Sequence, residues 1–208
     1  MLTVAIGLVS ALVYGTADFF GGLAARRIGA VLATAVAAAT GLLVVLALLP
    51  FVGGTWSTEA VLLGALSGLT GAVAVGLLYA CLAIGPMSIL SPLTAVVSAI
   101  VPMAVGLARG EAVGMLGGVA LVIALVAVVL VGFVPERGAV RPSLRGVLMA
   151  IGSGLAIGAF LVIMDAAPDD SGLVPLLANR VVNPTVMFAV VLVLVIAARR
   201  RGRPPRPR

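Results

Sequence analysis

TEAVLLGALSGLTGAVAVGLLYACLAIGPMSILSPLTAVVSAIVPMAVGLA, residues 58–108, holds two long apolar runs, Thr58 to Ile84 and Met87 to Ala108, parted only by Gly85 and Pro86. Crossing a hydrocarbon core of ~30 Å takes about 20 mostly apolar residues, and each run is long enough. A two-residue connection forces such helices to turn back as antiparallel neighbours. The whole chain has the same character: of 208 residues, 62% are hydrophobic, 26 more are glycine and only 10% are charged, with a mean hydropathy of +1.32. A soluble domain is roughly 45–50% apolar and about 25% charged, so this chain cannot clothe its surface in polar groups and belongs in lipid.

Seven windows of spanning length follow from charge, proline and turn boundaries: Leu2 to Ala24, Ile28 to Val52, Thr58 to Ile84, Met87 to Ala108, Val113 to Val134, Gly146 to Ala166 and Leu173 to Ala198. The first has no basic leader, outruns signal-peptide length and ends at Arg26-Arg27, which makes it a helix of the protein. The fold class is therefore an all-α polytopic membrane protein with about seven transmembrane helices. One linker is expected, residues 135–145, dividing a five-helix unit (1–134) from a two-helix unit (146–198) and a basic Arg/Pro tail (199–208).

The inventory excludes whole classes of chemistry. With no histidine and Cys81 as the single cysteine, there is no Ser-His-Asp triad, no Cys/His zinc site and no internal disulfide. No nucleophile and base lie at a workable spacing, so no enzymatic activity, cofactor or metal is expected. The net charge of +6 comes from thirteen arginines against seven acids, and six of those arginines lie within residues 199–208, so the charge is no nucleic-acid footprint. Counted by loop, one side collects Arg26, Arg27, Arg137, Arg141, Arg145 and the tail, and the other only Arg109. The asymmetry predicts an outside N-terminus and a cytoplasmic tail in a multi-pass protein of the inner (plasma) membrane.

A faint internal repeat accompanies the linker. Gly7, Ala11, Gly15 and Ala17 are echoed by Gly146, Ala150, Gly154 and Ala156 at a constant offset. Five helices being an odd number, a second copy would be inserted upside down, the inverted-repeat plan of many secondary transporters. The run Tyr79-Ala80-Cys81-Leu82-Ala83-Ile84-Gly85-Pro86-Met87-Ser88-Ile89-Leu90-Ser91-Pro92-Leu93, continuing through Pro102 to Gly110-Glu111 and a Gly-rich fifth helix, resembles the first repeat of EamA-type transporters of the drug/metabolite transporter superfamily. The likeness covers residues 1–134, with 143–198 as the opening of a second repeat. It implies transport of a small metabolite or toxic compound by alternating access, without a cofactor. It also implies ten helices, so the last three, with the second Gly-Glu turn, are missing from this pattern. Many members place the N-terminus inside, opposite to the arginine count. The alternative expectation is a non-transporting remnant or accessory subunit, with a second chain or a homo-oligomer completing the bundle beside lipid and substrate.

Several residues are candidates for the substrate or coupling-ion pathway. Asp18 lies eight residues, ~12 Å of rise, from Arg26, inside the apolar slab, where a carboxylate costs ~2.5–3.5 kcal/mol and marks a functional site by default. Tyr14 precedes it by four residues on the same face and could hydrogen-bond or screen it. Tyr79 belongs to the family-like run. Ser88, Ser91, Thr94 and Ser98 share a broad face of a helix interrupted by Pro92 and Pro102, either a substrate-facing wall or hydroxyls satisfying nearby carbonyls. Asn179, Arg180 and Asn183 precede Pro184; Arg180 could bind an anionic group, pair with Asp165 or Asp18, or snorkel. Gly110 and Glu111 read as a structural turn, the carboxylate serving the free N–H groups of the following helix. Gly64/Gly68, Gly114/Gly118 and Gly154/Gly158 form small-xxx-small pairs suited to close helix packing.

Overall fold

The computed structural model describes residues 2–110, 114–133 and 142–200, and among these every regular element is helical. They are α1 (Leu2–Ile28), α2 (Ala30–Val52), α3 (Thr58–Ile84), α4 (Met87–Ala108), α5 (Met115–Phe133), α6 (Leu144–Asp165) and α7 (Val174–Arg200), with one 3-10 turn at Asp169–Ser171. Over their described residues six of them, α1, α2, α3, α4, α6 and α7, are long and apolar enough to cross a membrane. The chain is a polytopic helical membrane protein. α1 runs one turn beyond the expected Ala24 and so carries Arg26 and Arg27 in its last turn. Most of the expected linker, including Arg137 and Arg141, lies outside the described residues, as do Glu111 and residues 201–208 of the tail.

Helix ends are closed by identifiable groups. Ser57 Oγ accepts from the Ala60 N–H and Ser143 Oγ from the Gly146 N–H, each at 3.1 Å, which caps α3 and α6. The other end of α3 is capped from a different helix: the Arg26 guanidinium donates through Nε to the Leu82 carbonyl at 3.1 Å and through Nη2 to the Gly85 carbonyl at 2.9 Å. A cation on the last carbonyls of a helix satisfies their lone pairs and offsets the negative end of its dipole.

α3 is the axis of the bundle. α6 and α7 pack most extensively against it and make at most marginal contact with one another, whereas α1 and α2 pack directly together. The tight Gly85-Pro86 turn makes α3 and α4 neighbours at that end only. Beyond it α4 leans chiefly on α6, which presents Ser153 to α3, donating to the Ala74 carbonyl at 2.8 Å, and Gly154 and Gly158 to α4. A Cβ at Gly154 would stand 2.8 Å from the Thr94 carbonyl oxygen, and one at Gly158 would collide with Val101. On the opposite flank Gly64 and Gly68 let α7 approach: a Cβ at Gly64 would strike Pro175, and one at Gly68 would stand 2.9 Å from the Asn179 carbonyl oxygen. Among the described residues nothing lies within 4 Å of a Cβ at Gly114 or Gly118, so the third expected pair brings none of the described helices close. Among the described residues α5 packs substantially on α4 alone.

Two loops clasp at one end of the bundle. The Thr55 N–H donates to the Asp170 carbonyl and the Leu173 N–H to the Gly53 carbonyl, both at 3.0 Å. Gly53 (φ 67°) and Gly172 (φ 52°) supply the left-handed backbone this crossing needs. The same end holds Arg109 and Asp165 in an exposed ion pair at 3.8 Å, too solvated to add much stability. Arg26, Arg27, Arg145 and Arg199 gather at the other end. Leu12, Leu43, Phe51 and Val193 stand exposed between the two, as lipid-facing side chains do.

Replacing Gly64 by Leu should destabilise the protein by about 1–3 kcal/mol through overpacking against α7. Gly15→Leu, with nothing within 4 Å of its would-be Cβ, should leave the unfolding midpoint in detergent nearly unchanged.

Candidate functional site

Three of the expected pathway residues meet where α1, α3 and α4 come together. Asp18 is half-buried on α1, and Ser91 Oγ of α4 donates to its Oδ2 at 3.4 Å. Among the described residues this is the hydrogen bond made to the carboxylate, and it is long for an O–H···O contact. Tyr79 of α3, 8% exposed, lays its phenol against Gly21, where any Cβ would collide with it. Gly21 is three residues beyond Asp18, so the phenol sits one helical turn along the same face of α1. Glycine at position 21 is what lets α1 close on α3 there.

The α4 backbone is interrupted at this point. Pro92 has no N–H, which deprives the Ser88 carbonyl of its intrahelical donor, and Pro102 does the same to the Ser98 carbonyl. Exposed backbone acceptors at membrane depth are tolerated where the helix is buried in protein or lines a wet cavity. The other hydroxyls of α4 are differently employed. Thr94 is buried and donates to the Leu90 carbonyl of its own helix at 2.9 Å and to the Ala150 carbonyl of α6 at 3.2 Å, a tie between helices. Ser98 donates to the Ala95 carbonyl at 2.8 Å, and Ser88 is exposed near the Gly85-Pro86 turn. Tyr14, 72% exposed, points out of the bundle. Gly110 has the positive φ of 86° expected of a turn glycine.

The α7 candidates form a second, separate cluster. Asn179 is buried and donates through Nδ2 to Ser67 Oγ of α3 at 2.9 Å, and Ser67 passes its own proton to the Gly64 carbonyl at 2.7 Å. Asn183, 3% exposed, faces Gly71 one turn further on, near Phe160 of α6, and its Oδ1 has no hydrogen-bond partner. Pro184 leaves the Arg180 carbonyl without its helical donor. The Arg180 side chain lies along α2 at Gly41, where a Cβ would stand 3.2 Å from its Cζ. It thus packs on α2, while Asp165 faces Arg109.

Ser67, Ser153 and Arg26 escape sequence reading, although each ties two helices together. Ser67 carries a signal in its setting, a hydroxyl three residues after Gly64 and beside Gly68 on one packing face. Ser153 has the same setting beside Gly154, whereas Arg26 reads only as a charge at a helix end. No family model, no curated protein and no solved structure matches the chain.

The two asparagines should respond differently to removal of the amide. Asn179→Leu removes the donor to Ser67 Oγ and should lower stability by about 1–2 kcal/mol. Asn183→Leu removes an already unpaired oxygen and should leave thermal unfolding in detergent unchanged or raise its midpoint.

Proposed function

We propose that the chain is an integral membrane carrier of the drug/metabolite type, moving a small metabolite or toxic compound across the inner membrane by alternating access. The observation that carries this reading is Asp18: a carboxylate within a membrane-spanning helix, held by one long hydrogen bond from Ser91 and set against a proline-interrupted helix. A carboxylate so placed has lone pairs to spare for a proton, a cation or the cationic part of a substrate, and intramembrane acids of this kind mark ion and substrate pathways. Tyr79 would border the path on the α3 side, and the unpaired Asn183 Oδ1 offers a second acceptor. The resemblance of residues 79–93 to EamA-type transporters supports the same reading, and the arginine-rich end, by the positive-inside rule, would face the cytoplasm with the tail.

A second reading, an accessory subunit working beside another chain, is favoured by the flank of α5, which among the described residues packs substantially on α4 alone and so offers a face to a partner or another copy.

Cells expressing the chain should differ from empty-vector cells in tolerance to some members of a panel of toxic cations and amino-acid analogues. Asp18→Asn should erase the difference at unchanged membrane abundance, Ser91→Ala should weaken it, and Ser88→Ala should keep it. Retention of the full phenotype by Asp18→Asn would refute a role for the carboxylate. A chain that alters tolerance only when co-expressed with a crosslinked partner would establish the accessory reading instead.

A further inference from the structure

Between the start of α2 and the last turns of α7 lies a cavity of about 370 Å³, walled by Ile28 and Val31 on one side and by Val191, Leu194 and Val195 on the other. Arg199 is the one charged side chain among its lining residues, and it stands exposed at the basic end of the bundle. Ile28, Leu194 and Val195 are themselves 50%, 52% and 43% exposed, so the cavity is a groove open sideways to the surroundings of the helices. It is separate from the Asp18 site, which lies more than two turns back along α1 and faces α4.

We propose that this groove binds an acidic glycerophospholipid, one acyl chain lying against α2 and α7 and the phosphate resting on Arg199. In a bilayer a groove open sideways between two membrane-spanning helices faces hydrocarbon, and the matter available to fill it there is an acyl chain. Its volume is at the small end of the ~300–1,000 Å³ typical of ligand pockets, and its walls offer a hydrated metabolite almost nothing to bond. Selectivity comes from Arg199. The arginines at this end, Arg26, Arg27, Arg145 and Arg199, mark the level where the helices leave the apolar slab, which is where a lipid phosphate sits. A guanidinium there pairs two phosphate oxygens through its planar fork, and basic pockets between helices at the membrane surface select acidic headgroups in this way.

The test uses the full chain purified in detergent and titrated with phosphatidylglycerol, phosphatidylcholine or inorganic phosphate, read by native mass spectrometry and by the unfolding midpoint. Phosphatidylglycerol should be retained about fivefold over phosphatidylcholine, the share of one basic residue at a membrane surface, and should raise the midpoint further. Arg199→Gln should level the two lipids, as should Leu194→Trp, which fills the groove while keeping the arginine. A variant with Arg201, Arg203, Arg206 and Arg208 all changed to Gln should keep the preference. Equal retention of both lipids by the unaltered protein would overturn the proposal, as would a preference that survives Arg199→Gln or vanishes in the tail variant. A midpoint shift produced by inorganic phosphate alone would identify a free-phosphate site and overturn it equally.

Discussion

Close backbone approach along α3 is the constraint from which the remaining packing follows. Lipid tails are as apolar as leucine, so no hydrophobic drive pushes helices together, and association rests on van der Waals contact and interhelical hydrogen bonds. α3 meets that demand with small residues on both flanks. Gly64 and Gly68 admit the α7 backbone, while the Ala74 carbonyl takes the hydrogen bond from Ser153 that fixes α6. α4 is then held mainly by α6, through Gly154, Gly158 and Thr94, and α1 closes through Gly21 on the Tyr79 phenol of α3. The bundle is thus assembled around one helix, with α4, the next in sequence, held at one remove through α6.

Hydrogen bonding sorts the polar side chains by their work. Hydroxyls of Ser67, Ser153 and Thr94 and the amide of Asn179 are spent on carbonyls or on one another within the interior, where an unpaired polar group is costly. Asp18 and Asn183 are the departures. Among the described residues one retains a charge-bearing group with a single long contact, and the other a buried oxygen with none. Polar groups kept under-satisfied inside a helix bundle add no stability that would explain their presence, and it is on these two that the proposed carrier function rests. The three interior prolines of α4 and α7 leave further carbonyls without their helical donors.

Much of the architecture was legible in the sequence because spanning a membrane imposes a length, and length can be read residue by residue. Windows bounded by Gly85-Pro86, by Arg26-Arg27 and by the cluster from Asp165 to Asp170 coincide with helix ends to within a turn or so. Two of the glycine pairs were legible for the same reason, since small residues four apart lie on one helical face. The third, Gly114/Gly118, has the identical pattern and, among the described residues, no partner helix beside it. Candidate residues were recognisable by type, Asp18 above all, but their employment was not. Ser91 and Thr94 are three residues apart on one helix with similar hydroxyls, yet one turns to a carboxylate on α1 and the other to a carbonyl on α6.

By itself, then, the sequence determined the solvent, the helices and their approximate ends, and which residues would be anomalous at membrane depth. These are local properties, set by the hydropathy and periodicity of single segments. Which helices touch was decided only in three dimensions. The short turn between α3 and α4 made them consecutive without making them close, because the glycines of α6 offered α4 a nearer approach than α3 could. The Asp18–Ser91 contact, the Arg26 cap on α3 and the groove between α2 and α7 all join segments far apart in the chain. Such pairings depend on the summed fit of several helix faces at once, and no single stretch of sequence carries that sum.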